Sequence, residues 1–81
     1  MSNREKLKKL LMDVFLIEEG QFNFNLKRDE VDTWDSLGVV SLATGIQETF
    51  GYHLTPREAT GLQSVPEIMA LLEKKGISFA G

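Results

Sequence analysis

The stretch Thr33-Trp34-Asp35-Ser36-Leu37-Gly38, with the apolar run that continues to Phe50-Gly51, decides how this chain reads. At about 100° per residue, Val39, Leu42, Ala43, Ile46 and Phe50 share one face, the core side of a helix over Ser36–Phe50. Gly51 follows where glycine commonly stops a helix. Leu37 and Val40 fall off that face, on the side of Thr44. They read either as ordinary exposed aliphatics or as a small contact patch for a partner.

The start of this helix differs from the others. Ser2/Glu5, Thr55/Glu58 and Ser64/Glu67 each pair a hydroxyl with a glutamate three residues on, the spacing of a capping box. There the hydroxyl has a structural task, accepting a backbone N–H. Three residues after Ser36 comes Val39, and Asp35 is free to cap the helix itself. Ser36 is then left in the first turn with its hydroxyl unemployed. A phosphate attached there would sit at a helix N-terminus, which favours negative charge.

Working outward, Leu7, Leu10, Leu11, Val14 and Phe15 form the apolar stripe of a first helix from about Asn3 to Glu18, with Gly20 as its expected stop. Phe22, Phe24 and Leu26 alternate with polar residues, but no second strand is there to pair with them. The segment from Glu19 to Thr33 therefore reads as a long loop that plugs three apolar side chains into a helical core. Trp34 reads as the anchor of that loop or as a partner contact. Thr55-Pro56 opens a short third helix ending at Gly61, and Ser64 opens a fourth that Gly76 terminates. The tail Ile77-Ser78-Phe79-Ala80-Gly81 is expected to be loosely held. The expected fold is all-α: a four-helix bundle of three main helices and one short one, with a long loop between helices 1 and 2. Residues 1–81 form a single domain.

Composition narrows the function. Without cysteine there is no disulfide, thiol nucleophile or Cys-based metal site, and the lone His53 has no ligand set at metal spacing. Ser36, His53 and Asp35 make a poor triad, because adjacent Asp and Ser cannot place the aspartate behind a histidine serving that same serine. No catalytic set emerges. No apolar run approaches the ~20 residues of a membrane span, and no secretory signal is recognisable. A cytoplasmic location is expected. Residues 29–67 carry seven acids against Arg57 alone, within a net charge of −3. Such a field disfavours nucleic acid and favours a basic protein surface.

Asp35-Ser36-Leu37 at the start of a second helix, Phe50-Gly51 at its end, then a short helix and a last one from about Val65, resemble the acyl carrier proteins over the whole chain. The resemblance implies that Ser36, beside Asp35, is the attachment site of a covalent 4'-phosphopantetheine. A phosphopantetheinyl transferase would add it from coenzyme A with a divalent metal. Acyl groups would then ride as thioesters on a carrier that is not an enzyme, acting as a monomer. Acyl-loading and acyl-processing enzymes would dock on Trp34, Leu37, Val40 and Thr44. The acyl chain would enter a pocket formed by Leu42, Ile46, Leu62 and Ile68. Fatty-acid carriers usually show glycine before Asp-Ser and acids after it, where this chain has Trp34, Gly38, Ser41 and Gln47. The pathway expected is fatty-acid-like or specialised (polyketide or lipid); Gly38 looks more like dedicated carriers of specialised pathways, or like D-alanyl and other aminoacyl carriers. An unmodified helical interaction domain is the alternative of a different class.

Overall fold

The computed structural model describes residues 2–79. Its helices are α1 (Asn3–Phe15), α2 (Ser36–Phe50), α3 (Pro56–Gly61) and α4 (Val65–Lys74). No strand is present among the described residues; the segment between α1 and α2 carries only single helical turns at Glu19–Gln21 and Arg28–Glu30. The all-α, four-helix expectation holds, with α3 as the short helix.

One apolar cluster joins all four helices. Leu7, Leu11, Leu42, Ile46, Ile68 and Leu72 are fully buried, and Phe15, Ala59 and Val65 nearly so. Leu7, Leu11 and Phe15 of α1 and Leu42 and Ile46 of α2 are residues that helical periodicity assigns to the inner faces. Each buried Leu, Ile or Phe contributes roughly 1.5–3 kcal/mol of transfer free energy. The alternating Phe22, Phe24 and Leu26 are half-buried against this cluster, as a plugged loop requires. The rings of Phe22 and Phe24 meet edge to face at 5.0 Å, and the Arg4 guanidinium lies 5.2 Å above Phe24.

Two sequence expectations fail, one at the end of α1 and one in the C-terminal tail. Gly20 does not stop α1. The helix closes at Phe15, with Leu16 in the left-handed region at φ 55° and the Ile17 N–H donating to the Met12 carbonyl at 3.1 Å. The same closure ends α4, where Gly76 takes the left-handed position at φ 91° and the Ile77 N–H donates to the Leu72 carbonyl at 3.0 Å. In α1 a leucine fills the glycine's place at a steric cost of roughly 1–2 kcal/mol, while the turn brings Ile17 back against the core.

The tail is not loose as far as it is described. Phe79 is buried and meets the Phe50 ring edge to face at 6.2 Å. Asn3 Nδ2 donates to the Ser78 carbonyl at 2.9 Å, and Arg4 donates to the Phe79 carbonyl at 3.4 Å. An aromatic ring that completes the bundle floor outweighs the entropy of the few residues it orders. Ala80 and Gly81 lie outside the described residues.

The long loop is clipped to the far side of the bundle. The Arg28 N–H donates to the Gln63 carbonyl at 2.8 Å, and the Val65 N–H donates to the Leu26 carbonyl at 2.9 Å. These bonds frame an isolated antiparallel bridge between Lys27 and Ser64. They deliver the chain to Thr33 and Trp34 in a set orientation, and α2 starts from there.

Candidate functional site

The start of α2 is built from four fixed groups and one unconstrained one. Asp35 is the N-cap, and its carboxylate accepts the Gly38 N–H at 2.9 Å. The Thr33 hydroxyl donates to the Phe15 carbonyl, tying this turn to the end of α1. Trp34 stacks on Phe15 with ring centroids 4.8 Å apart and planes 20° from parallel. Gly38 is buried, and a Cβ there would fall 2.2 Å from the Thr33 carbonyl oxygen and 3.2 Å from the Phe15 ring. A residue with a side chain cannot occupy that position without moving backbone. Ser36, in contrast, is exposed in the first turn, and its hydroxyl makes no hydrogen bond among the described residues.

The other helix starts use their hydroxyls. Thr55 and Glu58 form a full reciprocal box, with Glu58 N to Thr55 Oγ1 at 3.1 Å and Thr55 N to Glu58 Oε1 at 3.0 Å. Ser2 accepts the Glu5 N–H at 3.1 Å and Ser64 accepts the Glu67 N–H at 3.2 Å. Their glutamates return to the serine hydroxyl instead of the cap N–H. Glu58 also accepts the Tyr52 hydroxyl at 2.9 Å. The Thr55 N–H and the Tyr52 hydroxyl, in that order, hold the Glu58 carboxyl below its ordinary pKa, and Lys75 adds a smaller pull in the same direction.

Beside Ser36 a cleft of about 330 Å³ opens between α2 and α3. Val39, Val40, Ala43, Leu54 and Ala59 give it an apolar side, and Thr44, Gln47, His53 and Thr60 a polar one. His53 Nδ1 lies 2.9 Å from Gln47 Oε1. Arg28, half-buried, also borders the cleft and donates from Nε to the Trp34 carbonyl at 2.9 Å.

The sequence-derived site residues divide accordingly. Ser36, Asp35, Leu37, Val40 and Thr44 share the first turns of α2, with Leu37 79% and Val40 63% exposed. The Thr44 hydroxyl bonds back to the Val40 carbonyl at 3.1 Å. Trp34 as a partner contact is corrected: at 3% exposure it offers no surface, because its ring is spent on Phe15. The structure shows no open pocket at Leu42, Ile46, Leu62 and Ile68. All four are packed in the core, and the cleft runs along the neighbouring face through Val39, Val40, Ala43 and Thr44. Periodicity identified the inward side chains but not where helices leave a gap. Sequence reading also missed Arg28, Leu54 and Ala59 in the cleft, and Leu16, 80% exposed at the end of α1. The Arg28 charge was legible, but its return to Trp34 depends on the loop path.

An acyl carrier protein of Akkermansia muciniphila is 32% identical over 73 residues, covering 90% of this chain and 91% of the relative. The chain belongs to the acyl carrier protein family. An acyl carrier protein of Solidesulfovibrio magneticus is 28% identical over 75 residues, covering 93% of this chain and 96% of that protein. No family model and no solved structure matches the chain. As an acyl carrier protein family member, the chain has the helical architecture and the Asp-Ser-Leu start expected of it. No helix of the described residues is long and apolar enough to cross a membrane. No cluster of three or more His, Asp or Glu among them is placed to hold a metal ion.

Proposed function

We propose that this protein carries acyl groups on a 4'-phosphopantetheine arm attached to Ser36. The observation behind this is the hydroxyl itself: exposed, unbonded within the described residues, and in the first turn of a helix that Asp35 already caps. The residues fit the group. The helix N-terminus favours the phosphodiester charge, and the cleft beside Ser36 has room and apolar lining for part of the arm or its cargo. When bound, the arm supplies a terminal thiol, which this cysteine-free chain lacks, to carry acyl groups as thioesters.

In the loading step a phosphopantetheinyl transferase joins the Ser36 oxygen to the phosphorus that bears the pantetheine. The pyrophosphate P–O bond of coenzyme A breaks, the serine proton leaves, and adenosine bisphosphate departs. The chain's own part is to present Ser36 without competition from capping. Leu37 and Val40, both strongly exposed, form the contact patch for the transferase and for acyl-loading and acyl-processing enzymes. Tethering raises the local concentration of the cargo at successive enzymes. The departure from an acidic second helix supports a dedicated pathway over a housekeeping one. The Thr44, Gln47, His53 and Thr60 side of the cleft favours cargo with a polar group, including an aminoacyl group, as a second reading.

Intact-mass measurement after incubation with coenzyme A and a promiscuous transferase tests the proposal. A gain of one phosphopantetheine is expected, and Ser36→Ala abolishes it. No gain under conditions that load a known carrier would leave the unmodified interaction domain as the better account.

A further inference from the structure

Arg28 is held in an unusual electrostatic position. Asp29, Glu30, Asp32 and Asp35 all lie within seven residues of it in sequence. Yet the single ion pair among the described residues is Lys8–Glu19 at 3.3 Å, so Arg28 has no carboxylate partner there. Asp35 is committed to the Gly38 N–H, and Glu30 turns back to accept the Lys27 N–H at 3.0 Å. The Arg28 Nε–H is used on the Trp34 carbonyl, at the peptide that leads into Asp35 and Ser36. A guanidinium has five N–H donors, so this bond fixes the group and leaves both terminal nitrogens for an acceptor. Arg28 and Ser36 border the same cleft. Half-burial weakens solvent competition for whatever fills it.

We propose that Arg28 binds the phosphodiester formed at Ser36 and turns the arm into the α2–α3 cleft. This rests on the reading of Ser36 given above. A planar guanidinium matches two phosphate oxygens as a lysine does not. The pairing also offsets the repulsion between the new anion and the neighbouring Asp35. The phosphodiester then lies on the cleft side of α2, and the arm starts along Val39, Val40 and Ala43 instead of out into solvent.

The test uses isotope-labelled full-length protein, unmodified and loaded with coenzyme A and a transferase, with intact mass confirming the loading. The Arg28 Nε–H resonance is expected to shift on loading. The phosphorus resonance of the loaded protein is expected to move in Arg28→Gln and to lose its sensitivity to added salt. Lys27→Gln, the same charge change one residue away and outside the cleft, leaves it in place. Arg28→Lys separates binding from scaffolding. Both Arg28 variants lose the bond to the Trp34 carbonyl, but only Lys keeps the charge. A phosphodiester contact is therefore partly retained in Arg28→Lys, whereas a purely structural role moves both variants alike. Complete loading with an unmoved Arg28 resonance, or with equal phosphorus shifts in the Lys and Gln variants, overturns the Arg28 assignment and leaves the Ser36 reading standing. No mass gain in the wild type overturns both.

Discussion

At the start of α3 the Thr55 hydroxyl accepts the Glu58 N–H, and Glu58 returns a bond to the Thr55 N–H. At the start of α2 the corresponding N–H, that of Gly38, goes to the Asp35 carboxylate, and the neighbouring Ser36 hydroxyl is left out. Both ends satisfy the same orphan donors. One does it with the hydroxyl, and the other does it in a way that spares the hydroxyl. The two ends also differ in their support. The start of α3 is a surface box with Tyr52 and Lys75 around it. The start of α2 is wedged against the end of α1 through Trp34, Thr33 and Gly38. An exposed hydroxyl is thus mounted on a turn whose neighbours Trp34 and Gly38 are buried.

The largest way to break this contrast is to remove the wedge. Trp34→Ala is expected to cost about 3–5 kcal/mol in urea unfolding, because a buried ring stacked on Phe15 leaves a cavity. Trp34→Phe keeps the stack and deletes Nε1, which is buried with no hydrogen-bond partner among the described residues, so its cost is expected to be much smaller. Equal losses in the two variants would mean that the stack is not what holds the turn.

Next come the two glycines of α2 that pack closely. A Cβ at Gly38 or at Gly45 would fall 2.2 Å from a neighbour. At Gly38 that neighbour is the Thr33 carbonyl oxygen; at Gly45 it is the terminal methyl of Leu10. Gly38→Ala is therefore expected to cost about 1–3 kcal/mol through forced backbone movement. For Gly45→Ala, the leucine can rotate away and alanine favours the helix by about 1 kcal/mol, so little net change is expected. Thermal unfolding of the pair checks the order.

The capping comparison itself is smaller. Thr55→Ala is expected to cost about 1 kcal/mol and Ser36→Ala to stay within about 0.5 kcal/mol, read by the same unfolding assay. A Ser36→Ala loss as large as that of Thr55→Ala would show that Ser36 has a structural task after all. The smallest effect is a pH dependence. The Glu58 carboxyl has a depressed pKa in the folded protein, so its contribution is present above the unfolded carboxylate value and is lost as pH falls through the folded one. Acid titration of stability below about pH 4.3 should be shallower in Glu58→Gln than in the wild type.

Much of this was legible in the residues. Helical periodicity assigned the inner faces of α1 and α2, and the missing glutamate after Ser36 singled out that hydroxyl. Both signals are local, set by helix geometry and by the reach of one side chain to a nearby N–H. Trp34, Gly38 and Phe79 were not legible in the same way. Only the approach of the Thr33 carbonyl shows that glycine is required at position 38. Trp34 beside a turn carries no period, and Phe79 follows a helix-stopping glycine.

The sequence by itself determined the existence of the helices, their N-terminal caps and the identity of the spare serine, because each depends on residues within about one helical turn. The tertiary structure alone decided that Trp34 is buried, that the cleft runs beside Val39 and Ala43 rather than through Leu42 and Ile46, and that Arg28 returns to the Trp34 carbonyl. Those outcomes follow from how a long loop and two helices fill space together, and no local pattern encodes that packing.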